Sequence, residues 1–273
     1  MRLLGVYREK VFSPGKIRDD AAILDATLLE LSRMGHAFDT VEGEAMGKRA
    51  SGVNEETKAP VDCILTMAQS VRTLEALERR QERGTRIVNS IASVRNTYRR
   101  PLIGLLKNAG LPMPASEIIA TREVEGRVNF KKAVSYWLKR GDVHAVEPDD
   151  VVKVGSLPEL LAAVGRFRDR KIGEILVQEH SAGDVIKFYG AGRVSYFSAF
   201  LATTGEEITS GVEELREIAG RAAEATGLEV WGGDAIVTPE RAFVLIDFND
   251  WPSFSRCRDK AATGIARYIA NNI

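Results

Sequence analysis

The sequence predicts an α/β (α+β) protein: an open parallel α/β domain first, then lobes of mixed strands and helices. Three observations lead there. Short apolar strands alternate with helical segments over residues 1–90, the pattern of βαβ units. The run Gly110-Leu-Pro-Met-Pro114 then stops a helix firmly and opens a separate, strand-rich segment. Near the end, two apolar runs flank Thr238-Pro-Glu-Arg241, turn chemistry for an antiparallel hairpin.

Taken in order, 3–7 reads as a buried strand, followed by a loop with Ser13-Pro-Gly15 and a helix to Met34, capped by Asp19 or Asp20 and ended by Gly35. A short strand covers 37–41. The charged, glycine-containing stretch 42–60 reads as a loop. A strand over 62–67, a helix from Ser70 to about residue 83 and a strand over 86–88 complete the first unit. The carboxyl ends of its strands form the expected ligand edge. Asn96 or Thr97 then caps a helix through Asn108. Strands follow at 116–121, 135–139 and 151–154, with a helix over 157–168 and a strand over 174–179. Beyond come strands at 184–189 and 194–201, a helix over 212–226, the hairpin, and a last helix over 258–271.

Composition narrows the function. The 273 residues are 44% hydrophobic and 28% charged, ordinary for a globular protein. Lys plus Arg and Asp plus Glu number 38 each, so no overall field favours nucleic acid, a membrane surface or an acidic partner. Cys63 and Cys257 lack ligand-like spacing, and His36, His144 and His180 form no zinc pattern. The N-terminal stretch is too short for a signal peptide, and a reducing cytoplasmic setting is expected.

Several residues are candidates for chemistry. Residues equidistant from a hairpin turn face each other, so Asp234 falls opposite Asp247 or within one step of it, and Asn249 shares the face of Asp247. The strand over 243–248 is apolar on both faces, so an ionised Asp247 there needs a partner or a cation. Two carboxylates and an amide are oxygen ligands that suit magnesium. A plain strand end running into a turn is the competing reading of this stretch. Lys139 ends an apolar strand before a glycine, where it would hold a phosphate or simply lie at the surface. The strand over 174–179 runs into Gln178-Glu-His-Ser181, offering hydrogen-bonding groups to a purine edge, with Asp184 for a ribose hydroxyl; a polar loop is the alternative. Arg95, Arg99 and Arg100 cluster near a helix start, as an anion site or a solvated face.

In this order the motifs resemble the ATP-grasp fold, in the branch of glutathione synthetases, D-alanine ligases and ribosomal-protein glutamate ligases. The residues that carry the resemblance are Asn89, Arg99, 110–114, Trp137-Leu-Lys139, Ile175-Leu-Val-Gln-Glu179, Gly183-Asp-Val-Ile-Lys187, Gly233-Asp234 and Asp247-Phe-Asn249. It covers nearly the whole chain and implies an N-terminal domain over 1–90, a central lobe over 91–185 and a C-terminal lobe over 186–273, the lobes enclosing ATP. By the same resemblance Arg99 and Lys139 contact the nucleotide phosphates, Gln178, Glu179, His180 and Ser181 grip adenine, and Asp184 holds the ribose. Lys187 faces substrate and γ-phosphate, and Asp234, Asp247 and Asn249 bind Mg2+, with Mn2+ as an alternative. Asp247 stands where the family usually has Glu, and Arg99 where it usually has Lys. The loop over the phosphates is short, with Arg140-Gly-Asp142 and His144 as its donors.

The implied activity is ATP- and magnesium-dependent ligation of a carboxylate to an amine or thiol through an acyl phosphate. Its substrates are a small molecule or peptide, with no nucleic acid or membrane partner and a homodimer as an open assembly. Arg256 and Arg258 lie where relatives bind their second substrate and suit a carboxylate or phosphate; polar residues opening the last helix are the plain alternative. A small-molecule kinase and a non-catalytic nucleotide-binding protein are the other readings.

Overall fold

The structure is a computed structural model that describes residues 1–49, 60–127, 134–142 and 147–272. His144, which the sequence singles out as a donor of the short phosphate loop, lies outside the described residues.

The first unit is a parallel sheet of β1 (Arg2–Tyr7), β2 (Ala37–Glu42), β3 (Cys63–Thr66) and β4 (Arg86–Val88), in the order β2-β1-β3-β4. All four residues of β3 are buried, as a strand covered on both faces requires. Helix α1 (Ile17–Arg33) buries Ile23, Leu24, Leu28 and Leu31, a stripe at helical spacing. It begins at Lys16, not at Asp19 or Asp20, because those acids are drawn to Arg258 and Arg8 instead of capping. Part of the expected loop over 42–60 is helical: α2 (Gly43–Arg49) packs on α3 (Val71–Glu82). Its glycines hide it in the sequence and make it fit in the fold. A Cβ at Gly43 would stand 2.7 Å from the Tyr7 carbonyl oxygen, and one at Gly47 3.0 Å from Thr73 Oγ1. Ser70 caps α3 by accepting from the Thr73 N–H, as its position suggests.

The helix expected from Asn96 or Thr97 to Asn108 starts later, as α5 (Arg99–Asn108), and a short helix the sequence reading did not include, α4 (Ile91–Arg95), precedes it. Thr97 does not cap; its buried hydroxyl donates back to the Val94 carbonyl at 2.6 Å and fixes the bend. Pro101 sits in the first turn of α5, where its missing N–H costs nothing.

The next sheet is antiparallel: β5 (Ser116–Ala120), β6 (Tyr136–Arg140), β7 (Val151–Val154) and β8 (Glu174–Glu179), ordered β5-β8-β6-β7. The short α6 (Val124–Arg127) and the longer α7 (Leu157–Asp169) cover it around Leu138, Leu160, Val164, Phe167 and Ile175. The last sheet is also antiparallel, with β9 (Asp184–Ala191), β10 (Tyr196–Leu201), β11 (Glu207–Ile208), β12 (Val230–Val237) and β13 (Phe243–Asp250) ordered β11-β10-β9-β12-β13. Helix α8 (Glu213–Thr226) packs on it together with α5, burying Leu102, Leu106, Leu215 and Ala219 with Phe188 and Phe248. Helix α9 (Arg258–Ala270) packs on α1, so the parallel sheet and the five-stranded sheet share one core that includes Leu24, Leu28, Tyr189, Trp251, Phe254 and Ile265. The four-stranded antiparallel sheet has a core of its own.

Asn89 ties the shared body together. Fully buried, it accepts from the Glu229 and Val230 N–H groups at 2.8 Å each and donates to the Val230 carbonyl at 2.7 Å. Its side chain thus completes the backbone bonding where β12 begins. Replacing Asn89→Ala orphans these groups and is expected to cost about 2–4 kcal/mol of unfolding free energy. Chemical denaturation would show this as a lower midpoint, and an unchanged midpoint would remove Asn89 from that role.

Candidate active site

The hairpin register builds the floor of a cleft. Lys187 of β9, Asp234 of β12 and Asp247 of β13 are cross-strand neighbours and form one row over three strands. The next row on that face is Tyr189, Gly232 and Asn249. A bulge follows: Asp234 pairs with Asp247 but Ala235 with Leu245, leaving Ile246 as the extra residue. The Ile246 carbonyl accepts the Lys139 ammonium at 2.9 Å, so a lysine from the other antiparallel sheet docks where the ladder is interrupted.

Three cations surround the two acids. Lys187 Nζ lies 2.7 Å from Asp234 Oδ1, and Arg99 Nη1 lies 3.8 Å from Asp247 Oδ1. Burial pushes the Asp234 carboxyl up from its ordinary range, and the Lys187 ion pair offsets part of that cost. The Asp234 side chain keeps 26% of its surface, yet it sits deep in the cleft, and its desolvation follows the depth. Lys139 is nearly buried, which pushes its ammonium down; Asp247 pulls it back and Arg99 opposes that pull. Arg99 is buried too, with its Nε bonded to nothing in the protein.

These groups border a cavity of about 520 Å³, whose walls include Arg8, Lys16, Asp20, Gln69, Arg99, Lys187, Asp234, Asp247, Asn249, Asp250 and Arg256. That volume falls in the range of ligand pockets, roughly 300–1,000 Å³. Among the described residues no group of three or more His, Cys, Asp or Glu is placed to hold a metal. Asp234, Asp247 and Asn249 supply two carboxylates and one amide, all hard oxygen donors, which fit magnesium completed by substrate phosphate oxygens.

The segment expected to grip adenine lies at the carboxyl end of β8, between β5 and β6, and in the connection to β9. Buried Gln178 donates from Nε2 to Ser116 Oγ at 3.1 Å. Trp137 Nε1 donates to His180 Nδ1 at 3.2 Å, the rings meeting edge to face at 6.2 Å. Burial and the nearby Lys153 push the His180 imidazole down, so it stays neutral and accepts this bond. Glu179 and His180 tie their N–H groups to the Ala115 and Ser135 carbonyls. Ser181 is half-buried and Asp184 exposed where β9 starts. Between Gln178 and the floor lies an apolar slot lined by Leu102, Leu106, Met113, Leu176, Leu245 and Ile246, reduced to about 10 Å³. That is scarcely room for one water.

The structure therefore brings Lys139, Arg99, Lys187, Asp234, Asp247 and Asn249 together, with Arg256 on the far wall of the same cavity. Gln178 stands at the slot, and Glu179, His180, Ser181 and Asp184 lie along the β8–β9 connection, outside the walls of the main cavity. Arg95 and Arg100 turn away to Glu78 and Glu174, a solvated face. Arg258 is taken by Asp19 at 2.7 Å.

Sequence reasoning missed a buried polar bridge. Arg8 Nη2 donates to the Trp251 carbonyl at 2.8 Å, Nε to the Met67 carbonyl at 3.1 Å, and Nη1 approaches Asp20 Oδ2 at 3.3 Å. Gln69 Nε2 donates to Asp250 Oδ1 at 2.6 Å. Burial raises the Asp250 carboxyl to about 6, against the lowering pull of Arg8. Arg8 and Gln69 follow the carboxyl ends of β1 and β3, the ligand edge of an open parallel sheet, and that position was the available signal.

Two antiparallel sheets facing each other across such a cleft, behind an open parallel α/β domain, define the ATP-grasp fold, and this chain has it. No family model and no curated protein matches the sequence. Among solved structures, a RimK domain ATP-grasp protein from Sphaerobacter thermophilus is similar with a TM-score of 0.69 at 18% identity, covering 99% of this chain and 100% of that one. The D-alanine-D-alanine ligase of Coxiella burnetii gives a TM-score of 0.72 at 12% identity over 99% and 94% of the two chains. The ATP-grasp ligase PsnB, solved with a precursor peptide and AMPPNP, gives 0.67 at 17% identity over 98% and 96%. No helix among the described residues is long and apolar enough to cross a membrane.

Removing Arg8 would leave Asp20 buried without its ion pair and strip the Trp251 carbonyl of its donor. Arg8→Met is expected to destabilise the chain by about 3–5 kcal/mol, more than Gln69→Leu, which leaves one buried carboxylate oxygen unbonded at a cost of about 1–3 kcal/mol. Paired denaturant curves check the order, and equal midpoints for the two variants would contradict it.

Proposed function

We propose that the protein is an ATP- and magnesium-dependent ligase that joins a carboxylate of a small molecule or peptide to an amine or thiol through an acyl phosphate. The observation that carries this reading is the row Lys187–Asp234–Asp247 beneath Lys139, at the bottom of a cleft between two sheets. The PsnB structures with magnesium and ADP, and the Bacillus anthracis D-alanine–D-alanine ligase with ATP, support it by likeness of fold.

In this mechanism Asp234, Asp247 and Asn249 would hold a magnesium ion, which when bound would supply positive charge to the nucleotide phosphates. Lys139 and Arg99 offset charge on the phosphoryl group as it moves from ADP to the substrate carboxylate. Both cations are nearly buried, so their fields are little screened and need no reorganisation during transfer. Lys187, ion-paired to Asp234, faces the reacting carboxylate and steadies its approach. Gln178, Glu179, His180 and Ser181 hold the adenine and Asp184 the ribose. The amine then attacks the acyl carbon, inorganic phosphate leaves with the C–O bond electrons, and the amine proton passes to solvent. No protein nucleophile is required. Cys63 and Cys257 are buried, with thiols pushed up to about 12 and about 11.

Incubation with ATP, magnesium and pooled carboxylates and amines, followed by phosphorus NMR and mass spectrometry, tests the reading. ADP, inorganic phosphate and a condensed product are expected. ADP with a phosphorylated substrate would make the protein a kinase, and saturable ATP binding without product would make it a nucleotide-binding protein. Asp247→Asn should lower magnesium-dependent turnover about 10²–10³-fold with little change in unfolding midpoint; full activity in that variant would exclude Asp247 as a metal ligand. Lys139→Met should likewise slow turnover about 10²-fold or more, and wild-type rates would remove Lys139 from phosphate contact.

A further inference from the structure

Five cationic side chains line the main cavity: Arg8, Lys16, Arg99, Lys187 and Arg256. Three of them are answered by acids of the same cavity, Arg8 by Asp20, Arg99 by Asp247 and Lys187 by Asp234. The fourth acid, Asp250, is turned toward Gln69 and Arg8. Among the described residues, Lys16 and Arg256 form no ion pair.

Arg256 is held in place without being neutralised. Its Nη2 donates to the Ala202 carbonyl at 3.0 Å and Nη1 to the Leu201 carbonyl at 3.5 Å. Gly205, at φ +76°, brings backbone so close that a Cβ there would stand 2.6 Å from Arg256 Nη1. A guanidinium braced by neutral carbonyls keeps its full charge for a ligand. Lys16 reaches the cavity from the other body of the fold, at the start of α1, which has no side-chain cap. The acids of that first turn, Asp19 and Asp20, are already engaged by Arg258 and Arg8.

We propose that Lys16 and Arg256 form a carboxylate clamp, so that the substrate carries a carboxylate the reaction does not consume. The substrate class is then a dicarboxylate, one acid over the Lys187 row and the other between Lys16 and Arg256. A recess of about 360 Å³ adjoins the cavity and shares Ser255 and Arg256 with it. The substrate can continue there, and the clamped carboxylate need not be its terminus. The assignment of the first carboxylate rests on the ligase reading, whereas the clamp rests on the two unanswered charges.

Calorimetric titration of the full chain, with ADP and magnesium present, tests the clamp using glutarate and its monoamide, which match in size and differ by one charge. Glutarate is expected to bind at least about ten-fold more tightly, and Arg256→Met or Lys16→Met to erase the difference, while Arg256→Lys retains part of it. Unchanged thermal midpoints confirm folding; Lys16 is exposed, so its variant carries little risk. Equal binding of the two ligands, no saturable glutarate binding, or a preference surviving in both methionine variants would overturn the proposal. The preference with no ligation of any acid would leave the clamp standing and sink the ligase reading; ligation without the preference would do the reverse.

Discussion

Two carboxylates facing each other across the last two strands of the five-stranded sheet are the constraint on which the rest of this structure depends. Each buried carboxylate costs several kcal/mol unless a cation compensates it. The fold supplies that compensation from three directions: Lys187 from the neighbouring strand, Arg99 from the start of α5 and Lys139 from the opposite sheet. Below the row, the other face of the same strands is aromatic. Trp231 and Phe248 stack at 5.6 Å, and Phe188 packs on both at 6.1–6.2 Å. The alternation of strand side chains separates a charged upper face from a dense lower one. Gly233 is the point where this layering is tightest, since a Cβ there would lie 2.4 Å from the Asp247 carbonyl oxygen and 2.5 Å from the Phe188 ring. A side chain at that position would push apart the strands that set the spacing of the acids.

Part of this floor was legible in the sequence because two apolar runs around a turn announce a hairpin with its acids near each other. The sequence reading set Asp234 opposite Asp247 or within one step of it, and the two do pair. Strict counting from Thr238-Pro-Glu-Arg241 would oppose Asp234 to Leu245; the Val237–Phe243 register and the bulge at Ile246 each add one residue. Strands of strong apolar character, Val151–Val154 and Glu174–Glu179, fall on their expected bounds. The bulge at Ile246 was not legible, because nothing in Phe-Val-Leu-Ile-Asp distinguishes a regular strand from one with an extra residue. Helix α2 was hidden by the glycines that let it pack, and the break between α4 and α5 depends on a Thr97 hydroxyl that serves a cap as readily as a bend. Local chemistry was readable wherever one element decided it. It failed wherever two distant elements had to meet.

The bridge from Arg8 and Gln69 to Asp250 and Trp251 is of that second kind. It fastens the ligand edge of the parallel sheet to the residues directly after Asn249, where the chain turns with Trp251 at φ +29°. A tryptophan in that backbone region is strained, and it is held there by burial and by the Arg8 bond to its carbonyl. The first domain thereby shapes one wall of the cleft and carries Lys16 into it. The two bodies share a common core, and both line the cavity.

The apolar slot beside Gln178 leads to a different property, the thermodynamics of nucleotide entry. If the adenine lies in this slot, as the proposed function has it, the room of about 10 Å³ there must widen before a base fits. The four-stranded antiparallel sheet on one side of it has a core of its own, so its packing does not depend on the apolar contacts across the slot. On that reading, apparent affinity for nucleotide is the intrinsic affinity scaled by the fraction of molecules with the slot already open, and each factor of ten in that fraction is worth about 1.4 kcal/mol. The apolar contacts of Leu176, Leu245 and Ile246 would then set a cost on occupancy, and the ATP affinity of the proposed function would be tunable at residues that never touch a phosphate.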